Sequence, residues 1–446
     1  MENTAKTIYR CGTLTYTKLG LLSLAVWLLW GDFSFILLSN IFPALTPLQL
    51  NLHNASNATI GLLMGTVPAV ITFILNPIIS TCSDRTRSRW GRRIPYLLFT
   101  APFLALFMIL LGWSDQIGYF MMKLVSYKGD PSLFIICLIA VFVIGFQVFN
   151  MFTDSVFWYI FADVVPEQFI GRIMASLRVI GALGGMIFNY FVMPYAKTHT
   201  AIIFTVFALI YWISFSAMCV KVKEGKYPPP EQYSPGFFSV FKGFFTDCFS
   251  TSFYVILFVG LAMNYVSTIC RNNFNLLFAL HELHLTPAEY GETMAAGLAV
   301  AAALFIPMGI LVDKIHPIRV YLLGALLVIF VNPFGFFWVN DYKSFMVMSI
   351  MLQAVYAVQY ASMNPLNVKL FPRAKYGQFC SAAAMVKAVL LAVSSWLGGC
   401  FIDILGFRYL YVWDFVFTIV CFVLLWITYL HWKKMGGDKE FIPPVQ

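Results

Sequence analysis

Charged residues are scarce in this chain of 446 residues. Only 11% of the residues are Asp, Glu, Lys or Arg, whereas 60% are hydrophobic, and the mean hydropathy is +0.79. Water-soluble globular proteins carry about 25% charged residues. So few charges cannot cover a water-facing surface, which excludes an ordinary soluble enzyme. The chain is therefore predicted to be a polytopic integral membrane protein.

Acidic residues are scarcer than basic ones, 20 against 29. The basic residues lie in short stretches between apolar runs, which is typical of a cytoplasmic membrane face and not of a nucleic-acid-binding stripe, so no nucleic acid partner is expected. The nine cysteines form no CxxC pair, and the six histidines lie in loops or at the ends of apolar runs. No disulfide framework, metal site, catalytic cluster or cofactor is predicted. The first 18 residues lack the apolar core of a signal peptide and are expected to be a cytoplasmic lead-in.

A membrane-spanning helix needs about 20 predominantly apolar residues. On that rule the sequence predicts twelve spans. They are Leu19–Phe42, Ile60–Ser80, Ile94–Trp113, Leu133–Tyr159, Ile173–Tyr195, Ala201–Val220, Phe253–Leu280, Tyr290–Val312, Ile318–Val339, Phe345–Leu370, Phe379–Ile402 and Tyr409–His431.

The distribution of Lys and Arg predicts the orientation of these spans. Of the 29 basic residues, 21 lie on the side that carries both termini, five lie in loops on the other side, and Arg178, Arg271 and Lys387 lie within spans. Because basic residues concentrate in cytoplasmic segments, both termini are predicted to be cytoplasmic, in a plasma or inner membrane.

The longest polar interruption divides the chain into two halves. Residues 221–250 contain three consecutive prolines and then an alternation of Phe with polar residues, which predicts a linker with an amphipathic helix on the inner membrane surface. The predicted domains are a six-helix bundle over residues 1–220, this linker over 221–250, and a second six-helix bundle over 251–446.

The two halves repeat a short motif. A small residue, followed four positions later by an acid and then a base, stands after the second and the eighth predicted spans. Parallel repeats of this kind are the architecture of the major facilitator superfamily. The sequence therefore predicts an all-α membrane protein with the major facilitator fold, most simply a monomer in contact with membrane lipid. Its conformational gate is expected to use Asp84, Arg85, Arg92, Arg93, Asp313 and Lys314.

Ionisable residues inside spans are costly and are functional-site hypotheses by default. Five stand out: Asp32, Asp154, Arg178, Arg271 and Lys387. Arg271 is followed by three asparagines within four positions and is expected to lie in a polar, partly unwound helix near a gate, in a structural role. In contrast, Asp414 is expected near the outer end of the last span, where its side chain can reach the interface.

The fourth span carries one polar face. Asn150, Asp154 and Trp158 are spaced i, i+4 and i+8 and so line one side of a helix. A carboxylate beside an amide and an indole suits a sugar, since the carboxylate accepts hydrogen bonds from hydroxyl groups and the indole stacks on the ring. The residues alone leave a second interpretation open. Asp154 and Arg178 would then form a buried ion pair that braces the first half.

These motifs resemble those of a known family. Three motifs resemble those of the glycoside–pentoside–hexuronide:cation symporters, the family to which the bacterial melibiose permease belongs. They are Gly31-Asp32-Phe33, the loop from Thr86 to Gly91, and Asp154 with Trp158. The loop from Ser83 to Pro95 also resembles that of the related sucrose transporters. The resemblance implies that the carboxylates at positions 32 and 154 bind a sugar, with the second also at the cation site. It implies that Trp158 stacks on the sugar, that Arg178 lies in its pocket, and that Lys387 links the second half to this cluster.

The second span departs from the family pattern. Where the melibiose permease has two acids that bind sodium, this sequence has Thr72 and Asn76, which keep oxygen ligands without charge. Coupling to a proton on Asp154 or Asp32 is therefore favoured over coupling to sodium. The predicted function is secondary active transport of a sugar or glycoside by alternating access. The alternatives are a carrier of lysolipid or another amphiphile with the same fold, and a receptor that binds a solute without moving it.

Overall fold

The computed structural model describes residues 9–225, 227, 245–372, 375–441 and 443–444. For some helical residues, among them Asp84, Arg85, Arg178 and Asp313, it describes the backbone and not the side chain. The predicted proline-rich linker and amphipathic helix, within residues 221–250, lie largely outside the described residues.

The described chain is almost entirely helical. Twelve helical stretches correspond to the twelve predicted spans, and we number them in chain order. Spans 1–6 are Lys18–Leu52; Asn57–Gly61 continued by Leu62–Thr66 and Val67–Arg85; Ile94–Gly112; Pro131–Val164; Glu167–Ile187; and Thr200–Lys221. Spans 7–12 are Ser252–His281, Pro287–Lys314, Pro317–Trp338, Tyr342–Leu370, Tyr376–Leu405 and Leu410–Lys434.

Eleven helices among the described residues are long and apolar enough to cross a membrane. Span 5 is the exception. Its first half is more polar, and the apolar segment Val179–Tyr195 is shorter and runs past Ile187 through the helical turns Phe188–Val192 and Met193–Tyr195. Large apolar side chains are exposed along the helices, such as Phe337 at 77% and Ile404 at 81%. On a protein in water such a surface would be anomalous. Facing lipid, it is the expected surface of a membrane-spanning bundle.

Local sequence explains where several helices begin. Thr286 starts span 8 with a capping box, in which its hydroxyl accepts from the Glu289 amide at 3.2 Å and the Glu289 carboxylate accepts from the Thr286 amide at 2.8 Å. Asp341 and Ser344 form the same arrangement at span 10. The prolines Pro307 and Pro365 lie inside helices, as the sequence predicts for lipid-embedded bundles.

The chain packs as two units. The first comprises Met1–Asn54, Ile71–Phe188 and Tyr195–Glu231, and the second comprises Ala55–Val70, Asn189–Pro194 and Gln232–Gln446. Span 2 is thus shared, since its first part packs with the second unit. Aromatic rings fill both cores: Phe35, Phe157 and Phe215 lie together in the first unit, and Tyr254, Phe258 and Phe379 in the second.

Two elements outside the spans were not expected. Tyr9–Cys11 and Leu14–Tyr16 pair as an antiparallel hairpin whose turn places Gly12 at a φ of +55°. Its Tyr9 ring contacts Phe169 edge-on at 5.1 Å, so the described part of the predicted lead-in, from Tyr9 onward, packs on the first unit. Ser114–Val125 forms a further helix between spans 3 and 4 that buries Gly118 and Met122.

Candidate functional site

The predicted polar face of span 4 is present. The Trp158 indole Nε1 donates to Asp154 Oδ1 at 3.2 Å, one helical turn apart. Trp158 is 42% exposed, so its ring is accessible and not part of the packed core. Asn150, one turn earlier, donates to Gln147 at 3.5 Å. An exposed indole therefore stands beside a carboxylate, which is the pairing that suits a hydroxyl-bearing ring.

Thr72 and Asn76 of span 2 face the same stretch of span 4. The Thr72 hydroxyl donates to the Met151 sulfur at 3.3 Å, and the Asn76 Oδ1 accepts from the Ser155 hydroxyl at 3.2 Å. Met151 and Ser155 flank Asp154 in sequence. The structure thus brings the two neutral span 2 residues next to the segment that carries the acid.

The other predicted binding residues occupy different surroundings. Asp32 of span 1 is 1% exposed, three residues before the aromatic core residue Phe35. The backbone of Arg178 lies in span 5, but the structure does not describe its side chain. The predicted pairing of Arg178 with Asp154 therefore stays a prediction. In the second unit, the Lys387 ammonium lies 4.5 Å from the centre of the Tyr265 ring, a cation–π contact.

A second buried charge cluster lies within the second unit. Arg271 Nη2 of span 7 donates to Asp414 Oδ2 of span 12 and, at 2.7 Å, to Asn332 Oδ1 of span 9. The Asp414 carboxylate also accepts from the hydroxyls of Tyr356 and Thr418, at 2.6 and 3.0 Å. The Asp414 side chain is 0% exposed and that of Arg271 is 11% exposed. Four helices therefore contribute to one network.

This cluster corrects two expectations. Asp414 does not reach the interface, because its carboxylate is fully buried against Arg271. Span 7 is not unwound at Arg271, since one continuous helix runs from Ser252 to His281. The sequence carried a signal for the pairing: an acid in span 12 and a base in span 7 are each costly alone in a membrane and can neutralise each other.

Next to this network the second unit contains a cavity of about 250 Å³. The polar groups of its wall come from Arg271, Asn275 and Gln353. Its aromatic rings come from Tyr356, Tyr360 and Tyr411. The Arg271 guanidinium lies 5.3 Å from the centre of the Tyr411 ring. The cavity therefore combines hydrogen-bonding groups with aromatic faces.

Two of the predicted gating residues lie in a charge cluster of the first unit. Arg92 and Arg93 both donate to the Asp163 carboxylate, at 2.5 and 3.2 Å, and Arg93 also donates to the Ser83 hydroxyl. The Glu224 carboxylate accepts from the backbone amides of Arg92, Arg93 and Ile94 at 2.7–3.0 Å. This caps the start of span 3, where free amides favour an anion. The acidic partners Asp163 and Glu224 were not predicted.

Tyr227 completes that cluster. Its hydroxyl donates to Glu224 at 2.9 Å, and the Arg92 guanidinium lies 4.2 Å from its ring centre. Burial, together with the negative charge of Glu224, raises the pKa of Tyr227 well above its usual value, so the phenol stays a neutral donor.

Of the other predicted gating residues, Lys314 in the second unit is exposed. The side chains of Asp84 and Arg85 in the first unit and of Asp313 in the second lie outside the described residues. Arg319 pairs with Asp438 at 2.7 Å on the surface. The His316 ring, before span 9, lies against the Trp432 ring with centroids 4.3 Å apart and planes tilted by 31°, and burial lowers the pKa of His316 to about 4.

The start of span 2 is fastened to span 11 within the second unit. The Asp403 carboxylate accepts from the amides of Asn57 and Ala58 at 2.9 and 2.8 Å and from the Asn57 side chain at 2.9 Å. The Ser395 hydroxyl donates to the Gly61 carbonyl at 2.8 Å. A side chain at Gly61 would clash with the Ser395 carbonyl, so glycine at this position allows the two helices to approach this closely.

The described residues include no group of three or more His, Cys, Asp or Glu placed to hold a metal ion.

Comparisons with sequence families give two matches. The family model described as "Major Facilitator Superfamily" matches residues 256–440, and that described as "Sugar (and other) transporter" matches residues 53–237. Rice (Oryza sativa) "Sucrose transport protein SUT1" is 34% identical over 80 residues, and mouse (Mus musculus) "Membrane-associated transporter protein" is 31% identical over 87 residues. These matches span 17% and 20% of this chain and 15% of the length of either relative.

Solved structures share the fold over nearly the whole chain. A bacterial homologue of the human lysosomal transporter Spinster, in an inward-facing, occupied conformation, has a TM-score of 0.68 at 12% identity, covering 95% of this chain and 98% of its own. A variant of the nucleoside transporter NupG has a TM-score of 0.64 at 12% identity, covering 91% and 100%. At these identities the likeness establishes the fold.

Proposed function

We propose that this chain is a carrier of the major facilitator superfamily that transports a sugar or glycoside together with a proton. It is a multi-pass membrane protein and not an enzyme. The predicted all-α membrane fold is confirmed. The narrower assignment to the glycoside–pentoside–hexuronide:cation symporters stays part of the proposal.

The observation that carries the proposal is the contact between Asp154 and Trp158. The carboxylate is held by the indole N–H at 3.2 Å while the indole remains 42% exposed. A hydroxyl-bearing ring can stack on the indole and donate to the same carboxylate. A lipid tail cannot donate a hydrogen bond to that carboxylate, and a carboxylate left dehydrated without a hydrogen bond costs several kcal/mol.

The matched family model and the rice relative support a sugar as the cargo. The model's description names sugar transporters, and its match covers spans 2 to 6, including Asp154. The rice relative is by name a sucrose transport protein. Which sugar is carried depends on hydroxyl contacts that this similarity does not define.

A proton is the coupling ion that the span 2 residues favour. Thr72 and Asn76 carry no charge, and they contact Met151 and Ser155, which lie close to Asp154 in sequence. In the proposal a proton neutralises Asp154 and so reduces the cost of moving the loaded site through the membrane. Coupling follows because sugar and proton bind better together than apart.

Alternating access is the mechanism proposed for the two units, as in other carriers with internal repeats. The cluster of Arg92 and Arg93 with Asp163 lies within the first unit, and the cap that Asp403 places on span 2 lies within the second. Each is proposed to hold its own unit together during this cycle. We further propose that both termini are cytoplasmic in a plasma or inner membrane, from the distribution of basic residues.

The test is uptake into proteoliposomes under an inward proton gradient, with a panel of mono- and disaccharides. The wild type is expected to accumulate at least one sugar. Asp154→Asn is expected to reduce accumulation about 10- to 100-fold, because a hydrogen bond to a charged group contributes about 1.5–3 kcal/mol. Asp130→Asn is the matched control, since asparagine caps a helix as well as aspartate does. Unchanged uptake and pH dependence in Asp154→Asn would refute the assignment.

A further inference from the structure

The cavity inside the second unit has the size and chemistry of a binding site. Its volume of about 250 Å³ is below the roughly 300–1,000 Å³ of pockets for drug-sized ligands. The space therefore suits a small ligand, such as one with a single ring.

Its polar groups are incompletely satisfied by the protein. The Arg271 Nε is buried and has no hydrogen-bond partner among the described residues. The Asn275 amide donates to the Met294 sulfur, a weak acceptor, at 3.8 Å, and its side chain also hydrogen-bonds to the Tyr290 hydroxyl. The Gln353 side chain makes no hydrogen bond to any residue that the structure describes, although its stem packs against Gly297. The Arg271 Nε is the buried donor of the three, and a buried donor without a partner is costly. Asn275 and Gln353 are half-buried, so their amides are accessible to a ligand with oxygen acceptors.

The charge of the site favours an uncharged ligand. The positive charge of Arg271 is already compensated by Asp414, which also accepts from Tyr356 and Thr418. An anionic ligand would add a second negative charge to a neutral pair and would lose its own hydration. A neutral ligand can accept from Arg271 without that cost.

Aromatic rings complete the lining. Tyr356 and Tyr360 stack with centroids 5.9 Å apart, and the Tyr411 ring lies beside the guanidinium. Flat aromatic surfaces next to amides suit the C–H faces and the hydroxyl rim of a sugar ring.

We infer that this cavity binds one uncharged sugar ring within the second unit, through Arg271, Asn275 and Gln353. The inference rests on the proposed function. It adds to the Asp154 face a second site, which selects a neutral ring over a sugar acid.

The experiment measures sugar binding to the purified full-length protein by isothermal titration. The probes are glucose, galactose and their methyl glycosides, with glucuronate and galacturonate as the acidic counterparts. Gln353→Ala and Asn275→Ala are expected to weaken binding of the neutral ring about 2- to 10-fold each, the loss of one hydrogen bond. Gln378→Ala, an exposed glutamine outside the cavity, is the control. Gln353→Ala leaves the Arg271–Asp414 pair intact, so the test does not depend on that pair's stability.

The outcomes separate the two claims. Neutral rings that bind more tightly than the acids, and that lose affinity in the cavity variants only, support the inference. If sugars bind but Gln353→Ala and Asn275→Ala keep wild-type affinity, or if the acids bind more tightly, the inference is overturned while the proposed function stands. If no sugar binds, both are overturned.

Discussion

Breaking the Arg271–Asp414 pair from one side leaves a buried charge without its partner. The Asp414 side chain is 0% exposed and accepts from Arg271, Tyr356 and Thr418. The informative perturbations are Arg271→Gln, Asp414→Asn and the double variant. Each single change keeps the approximate shape of the side chain and removes one charge.

The expected size of the effect follows from burial. Removing one partner of a buried ion pair costs about 3–5 kcal/mol, whereas removing both is often nearly neutral. Each single variant is therefore expected to lower the free energy of unfolding by about 3–5 kcal/mol, and the double variant by less than either. At about 2–4 °C per kcal/mol for a unit of this size, each single variant should melt roughly 6–20 °C lower.

The assay is thermal unfolding of the detergent-purified protein, with the four forms compared as a double-mutant cycle. Arg319→Gln is the matched control, because the Arg319–Asp438 pair is 41% and 47% exposed and surface pairs contribute about 0–1 kcal/mol. The reasoning is refuted if the single variants melt no lower than this control, or if their effects simply add in the double variant.

Three further predictions concern other contacts. Asp403→Ala removes the cap on Asn57 and should lower the free energy of unfolding by about 0.5–2 kcal/mol. Asp403→Asn should lose less stability than Asp403→Ala, and equal melting temperatures of both variants and the wild type would contradict this prediction. Burial lowers the pKa of His316 from 6.5 to about 4, so the unfolded chain binds the extra proton and stability should fall as the pH drops from about 6.5 to 4. His316→Asn should flatten that pH dependence in melting curves, and an unchanged slope counts against the assignment. Trp158→Phe keeps an aromatic face but loses the hydrogen bond to Asp154, so its sugar affinity should fall by less than that of Asp154→Asn. An equal or greater loss of affinity would contradict this, because the indole N–H would then matter more for sugar binding than the carboxylate.

What the sequence predicted well depends on geometry within one helix. Asp154 and Trp158 are four residues apart, and helical periodicity alone places them in contact. The twelve helical stretches follow in the same way from the length of apolar runs, and span 5 is marginal because its first half is polar.

What the sequence did not predict depends on which helices pack together. Arg271 and Asp414 are 143 residues apart, and nothing in their local sequence pairs span 7 with span 12. Asp163 and Glu224 lie at span ends, where single acids are common, so their contacts with Arg92 and Arg93 emerged only from the fold. The hairpin at Tyr9 was missed because three-residue strands carry little pattern.

The central claim, that Asp154 carries the proton coupled to sugar binding, is tested most directly by the protons exchanged when the sugar binds. Titration calorimetry in two buffers of different ionisation enthalpy measures this number. The account predicts uptake of up to about one proton per sugar by the wild type, near the pKa of the coupled site, and none by Asp154→Asn. Sugar binding by the wild type without proton exchange across the pH range, or undiminished exchange in Asp154→Asn, would contradict it.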